Sequence, residues 1–501
     1  MAATTPLSPS KTGAGTSPRS PQRTAPVRLI GPWQNALEGA AAALCAVAAM
    51  ATVSALALLL LDAKSFGSLW SLTMALTAMA VGASVSAGSD VSTDTGSMGG
   101  LASLFGGGGL GPSMSGAADA VPLGVTLVGA VVLWITFSRR LRQGQQRRFT
   151  GGDLAARAAG AGAAALVTLM IVAGLAQGSA TMPASAMTGM GGGTDGDESA
   201  GGFGGTGGLG GLMGGGGTGT ESAMTYDVSA GSAGLGAVLW VAVALGTGCL
   251  ISRRVRLPLG GALDGLRTAW GPSLSVVVRT TLVLAAVPLV ALAVVGTVVG
   301  GRAGSAAGAA LLLVPNALAV FLSLGVGSSW TAEVHPVQSD DSGNPLAALM
   351  GGMGGTGDMG GTEQPDRTEH LRSLSAGGWP LWLAALAVTG LILLACAYRA
   401  ARATPPGHKL PMLPYRGPLA GHLGMAERFG VVTAVVLGVA AWLAGASGHF
   451  GVSMFGSQMG GMQAGLSGSV LRTVGFGLLV GGLAGFAGSL LAAVRVHRLT
   501  R

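Results

Sequence analysis

The sequence predicts an all-α membrane protein: a helical bundle of about eight transmembrane helices plus two weaker, re-entrant segments, built as a tandem duplication. Three observations lead there. Several apolar runs reach 17 to 26 residues, enough to cross a hydrocarbon core ~30 Å thick at ~1.5 Å per helical residue. Those runs do not alternate apolar and polar residues as barrel strands do, and backbone buried in lipid must satisfy its own polar groups. Basic residues, in a chain only 10% charged, gather beside alternate ends of the runs.

The stretch Ser138-Arg-Arg-Leu-Arg-Gln-Gly-Gln-Gln-Arg-Arg148 sets the orientation. Five arginines follow the run Val121–Phe137, with no acidic residue between Asp119 and Asp153. Basic residues flanking a span stay on the cytoplasmic side, so this cluster fixes the direction of both neighbouring spans.

Residues 1–35 are rich in Ser, Thr and Pro and carry Lys11, Arg19, Arg23 and Arg28 without an acid. They read as a disordered basic cytoplasmic tail. Ala36–Leu61 is too long for the ~7–15-residue core of a cleavable signal and reads as a span leaving the cytoplasm. A weaker apolar segment, Leu69–Ser86, follows, then a Gly/Ser-rich outer loop, 88–120. Val121–Phe137 returns, Ala158–Ala176 leaves, and 179–230 is a second Gly-rich outer loop. Leu235–Ile251 comes back to Ser252-Arg253-Arg254-Val255-Arg256, which repeats the earlier Ser-Arg-Arg-x-Arg.

The second half follows the same plan. Val276–Val299 leaves, a weaker segment Ala309–Gly327 follows, and 328–378 is a Gly/Met-rich outer loop. Trp379–Tyr398 returns, Phe429–Gly445 leaves, 446–470 is a short outer loop, and Val474–Val494 ends at Arg495, Arg498 and Arg501. Membrane repeat 1 therefore covers 36–256 and repeat 2 covers 257–501, a period of about 240 residues. Setting Gly82 against Gly325 aligns Thr73 with Asn316.

This layout puts 23 of the 28 basic residues inside and 16 of the 20 acidic residues outside. If both weak segments crossed, the Arg139–Arg148 cluster would lie outside, against the positive-inside bias. The weak segments are thus expected to enter and leave on one face or to lie in a cleft; ten spans is the alternative.

Those segments are the strongest candidates for function. Pro315 removes a backbone donor and Asn316 is costly in lipid, so Val314-Pro315-Asn316 marks broken helix geometry. Broken helices at membrane depth line a cavity or are buried in protein, and matched interruptions in two halves point to a transporter's substrate site. The expected binding residues are Thr73, Gly82, Pro315, Asn316 and Gly325. The expected function is a permease-like movement of a small solute between the halves. The alternative is a non-transporting envelope scaffold that binds partners through its outer loops. A permease needs a polar cleft at the repeat interface, whereas a scaffold packs dry there.

Other motifs carry less. Met187/Met190, Met350/Met353 and Met459/Met462 fall in outer loops; soft thioethers select Cu(I), but adaptable apolar contact explains them without a metal. The runs Gly106–Gly109 and Gly214–Gly217 do not fit GxxxxGK[ST] and read as flexible linkers. Gly477, Gly481 and Gly485 form a GxxxGxxxG ridge for close helix approach. Glu333 and His335 have no nucleophile tied to them. Cys45, Cys249 and Cys396 all lie in apolar runs without metal spacing. No cofactor, metal site or enzymatic activity is expected. The net charge of +8 points to the anionic inner leaflet rather than to nucleic acid, with another copy or an envelope component as further partner.

With its Ser-Arg-Arg-x-Arg span ends, Gly/Met-rich outer loops such as Met350-Gly-Gly-Met-Gly-Gly and its Val314-Pro315-Asn316 segment, the chain resembles the streptophobe family. Those are very hydrophobic actinobacterial membrane proteins with no established activity. The resemblance implies a multi-pass protein of a bacterial plasma membrane, here with both termini cytoplasmic, and carries over no functional residue.

Overall fold

The computed structural model describes residues 32–65, 67–90, 113–143, 151–182, 222–251, 260–299, 301–337, 367–373, 375–376, 379–403, 419–454 and 457–499. The tail, much of the arginine cluster and the centres of the long Gly-rich loops lie outside these residues.

Ten α-helices occur among the described residues. In the first half they are α1 (Pro32–Leu60), the short α2 (Leu69–Met79), α3 (Leu123–Gln143), α4 (Gly151–Leu175) and α5 (Ala230–Ile251). In the second they are α6 (Gly260–Val299), α7 (Gly301–Gly325), α8 (Leu381–Ala403), α9 (Ala420–Ala444) and α10 (Val470–Leu499). Each predicted span is present as a helix. Local chemistry suits them: Pro32 opens α1, where its missing N–H costs nothing, and Asp153 sits in the first turn of α4, facing the positive dipole end.

The loops between the helices hold structure that their composition hides. Eight strands form one antiparallel sheet: β1 (Val85–Asp90), β2 (Ser113–Ala120), β3 (Gly178–Met182), β4 (Ser222–Val228), β5 (Trp330–Val337), β6 (Arg367–His370), β9 (Ala446–Met454) and β10 (Ser457–Gly468). Two short strands, β7 (Ser375–Ala376) and β8 (Trp379–Pro380), pair separately. The order in the large sheet is β3-β4-β1-β2-β9-β10-β5-β6. Backbone pairing holds these stretches although side-chain propensity does not, and the runs read as flexible linkers, Gly106–Gly109 and Gly214–Gly217, lie outside the described residues.

The sheet also fixes topology. All eight strands adjoin helix ends, so those ends share one face of the bundle. Eight helices are long and apolar enough to cross a membrane; by that criterion α7 (as Gly304–Gly325) is included, while α3 enters only as the shorter Leu123–Arg139. The neighbours reverse that choice. The whole of α3 has 21 residues, ~31 Å, and leads from β2 to the opposite end. Along α7, Gly308 abuts Ala57 O and Leu61 at the end of α1, and Gly325 abuts Ala385 O and Thr389 at the start of α8. Asn316 bonds Val121 and Leu123 at the start of α3. All these contacts lie at the sheet end. Helix α7 thus runs obliquely across that end, and α2, at 11 residues, is too short to cross.

Both segments dip and return. Gly82 (φ 92°) and Gly327 (φ 102°) adopt the left-handed conformation that glycine tolerates. Gly82 N donates to Met79 O (2.9 Å) and Gly327 N to Leu324 O (2.9 Å); Ala83 N bonds Ala78 O as Ser328 N bonds Ser323 O. The first turn abuts Gly236 through Val81 O, and the second lies against Phe476. Each contact is six residues into the last helix of its half, ~9 Å along it. These matched turns set Gly82 against Gly327. The sequence alignment to Gly325 is two residues out, and Asn316 corresponds to Ser71 rather than to Thr73.

Each half has its own core. Met50, Leu133, Phe137, Leu169 and Trp240 anchor the first; Leu393, Met425, Phe429 and Leu437 anchor the second. The ridge Gly477, Gly481 and Gly485 lies on Ala434, Gly430 and Ala426 of α9, so close that a Cβ on each glycine would sit 3.1, 3.1 and 3.0 Å from their Cα atoms. It is a packing surface within the bundle. Fully buried Trp330 pins β5 to the bundle by donating from Nε1 to Ser323 Oγ, 2.7 Å.

Candidate functional site at the junction of the halves

Asn316 sits where the halves meet, and its amide both accepts and donates. Leu123 N donates to Asn316 Oδ1 at 3.0 Å, while Asn316 Nδ2 donates to Val121 O at 2.8 Å. Leu123 is the first residue of α3, whose leading N–H groups have no partner within the helix. Asn316 therefore caps α3 from a distance of 193 residues in sequence, in the way a local Asn caps a helix start. Pro122, between the two bonded residues, fits the first turn of a helix.

Pro315 serves the same joint. It cannot donate to the carbonyl of Leu311, one turn earlier, and that oxygen faces α3. A Cβ on Gly124 would lie 2.5 Å from Leu311 O and 3.4 Å from the Pro315 ring. The rest of the junction is apolar: Ala57, Leu289 and Leu311 form a buried cluster with Val53, Leu56 and Leu312 against it.

The five expected binding residues do not converge on one cavity. Buried Thr73 donates to Leu69 O of its own helix at 2.7 Å. Gly82 makes a turn with open space at its Cβ position, and Gly325 allows α7 to touch α8. Asn316 and Pro315 build the joint. Ser71, which matches Asn316 by position, accepts a hydrogen bond from Tyr226 Oη at 2.6 Å and so ties α2 to β4. Their common task is to hold the dipping helices in place.

A different polar feature was not legible. Thr280, Thr281, Thr389 and Thr433, with Leu284, Leu322 and Cys396, line a cavity of about 30 Å³ between α6, α7, α8 and α9. The Oγ1 atoms of Thr389 and Thr433 are buried without a hydrogen-bond partner. Pro288, within α6, also leaves the Leu284 carbonyl without its helical donor. One or two waters would fit such a space, since a water needs ~10–15 Å³. Organic ligand pockets are ~300–1,000 Å³.

At the end opposite the sheet, Arg157 is buried in α4 and pairs with Glu38 of α1 at 3.2 Å, over the Phe137 ring at 5.1 Å. Asn35 Nδ2 donates to Asp153 at 2.9 Å. In the second half, buried Arg428 of α9 donates to Ala269 O of α6 at 3.2 Å. These groups lock the fourth helix of each set onto the first.

On the sheet, an open groove of about 620 Å³ is lined by Ser86, Gly88, Gln177, Gly178, Thr225 and Asp227 among others. Gln177 donates to Asp227 across it at 2.9 Å. His335 and Glu333 lie 3.6 Å apart on β5, both half-buried. The Met187/Met190 and Met350/Met353 pairs lie outside the described residues. Among the described residues, no cluster of three His, Cys, Asp or Glu is placed to hold a metal. No family model, curated protein or solved structure matches the chain.

Proposed function

We propose that this polytopic membrane protein is a non-transporting scaffold of a bacterial envelope. Its arginine-rich ends and both termini face the cytoplasm and its anionic leaflet, and its sheet faces outward to engage partners. The carrying observation is the clamped junction: a permease needs a polar cleft where Asn316 instead caps α3 among apolar neighbours. The matched turns at Gly82 and Gly327 and the repeated strand order support a tandem duplication. An origin in the streptophobe family belongs to the same proposal and rests on the span ends and loops quoted above. The permease reading keeps one foothold, the threonine-lined cavity, which would have to open to admit a solute.

Complementation of a gene deletion separates the two. Thr225→Lys with Ser86→Lys alters the exposed sheet face, and Thr389→Val with Thr433→Val removes the cavity hydroxyls. Both variants should accumulate in the membrane. The scaffold reading expects the first to lose complementation and the second to retain it; the reverse result favours a permease.

A further inference from the structure

The halves are joined asymmetrically. Strand β2 of the first pairs with β9 of the second, from Ser113↔Ser453 to Ala120↔Ala446. By position in the chain, β2 corresponds to β6, since each is the second strand after a dipping helix. Likewise β9 corresponds to β3, since each follows the fourth major helix of its half. A two-fold joint would use the same strand from both sides. Here two different surfaces meet, so among the described residues one copy of each is left over: β3 at one edge of the sheet and β6 at the other. The helices repeat this asymmetry. Helix α7 lies across α1 and α3, whereas α2 packs on α1 and α4 of its own half. Among the described residues, no first-half helix lies along α8 as α7 lies along α3.

We propose that the two leftover surfaces meet between copies of this chain. Strand β6 of one molecule adds to β3 of the next, and the sheet continues from copy to copy. Such a heterologous contact closes into a ring or extends as a row, and it holds whether or not a solute crosses the bundle.

The internal joint dictates the register. Thr331, four residues after Gly327, pairs with His370, as Ser86, four after Gly82, pairs with Ala117. His370 therefore corresponds to Ala117. Tyr226 and Leu466 each lie four residues before a helix and pair with Gly178 and Ala446. Thr181 therefore corresponds to His449. Because Ala117 pairs with His449, His370 should face Thr181 of the neighbouring copy, and Glu369 should face Met182.

The chemistry of the edges suits a selective contact. Gly178–Met182 has no charge, whereas β6 carries Arg367 and Glu369, and charged edge strands resist indiscriminate pairing. With five and four residues, the edges set register, and the helices beneath them add area. A second copy is the occupant because its surface already fits this site within the chain.

Disulfide trapping tests this in native membranes, on a chain with Cys45, Cys249 and Cys396 replaced by Ala. Two differently tagged copies are coexpressed, one with Thr181→Cys and one with His370→Cys. Oxidation should give a mixed dimer, and the double variant should give a ladder on a non-reducing gel. Ala180→Cys with His370→Cys, one residue out of register, should stay monomeric. Ala117→Cys with His449→Cys should close within one chain and report a folded sheet. Where that control closes, three results overturn the proposal: no link between tagged copies, an equal link from the out-of-register pair, or a double variant that oxidises only as monomer. The last would mean that β6 meets β3 of its own chain.

Discussion

Asn316→Leu is expected to lower the thermal midpoint in detergent and to loosen the two halves. The change keeps the bulk but strips partners from Leu123 N and Val121 O, and each buried polar group left unsatisfied costs ~1–3 kcal/mol. A cost of that size is large against a marginal total stability. Asn316→Asp should also destabilise, because it retains the acceptor for Leu123 N but sets a carboxylate oxygen against Val121 O. Limited proteolysis between the halves would read the loosening directly. A leucine variant as stable as the parent would show that the apolar cluster of Ala57, Leu289 and Leu311 holds the junction without the clamp.

Gly160→Leu should be more damaging still. A Cβ there would collide with the carbonyl of Ala36, and one on Gly39 would collide with that of Arg157. Backbone cannot yield as a side chain can, so α1 and α4 must separate. That separation would break the Arg157–Glu38 pair and the Asn35–Asp153 bond, at more than the ~1–3 kcal/mol usual for overpacking. The same helix supplies its own control: Gly162 has nothing within 4 Å of its Cβ position. Gly162→Leu should fall within the ~0.5 kcal/mol typical of surface changes. Size-exclusion profiles of the two variants should differ sharply, with only Gly160→Leu aggregating.

The crossing helices were legible because the length and apolarity of a run act residue by residue along the chain. The sheet was not legible. Ser-Met-Ser-Gly-Ala-Ala-Asp-Ala in β2 and the four glycines of β10 lack the β-branched and aromatic residues that mark strands. They pair because flanking spans deliver them side by side, which no local window records. Pro315-Asn316 was read as a break in helix geometry, yet α7 runs unbroken from Gly301 to Gly325, and the pair acts instead at the junction with α3. Its role needed knowledge of Val121–Leu123, almost two hundred residues away. The threonine cavity was hidden for the opposite reason, since a helical Thr ordinarily bonds its own i−4 carbonyl and draws no notice.

The eight-stranded sheet is expected outside the membrane and the arginine-rich helix ends inside, with neither α2 nor α7 crossing. Single cysteines tested with an impermeant thiol reagent, in a chain without the native cysteines, address all three parts. Thr225→Cys on β4 and Glu369→Cys on β6, both exposed, should label in intact cells. Gln143→Cys at the end of α3 and Ala403→Cys at the end of α8 should label only after lysis. Labelling of Gln143→Cys in intact cells, or of Thr225→Cys and Glu369→Cys from opposite sides, would contradict the account.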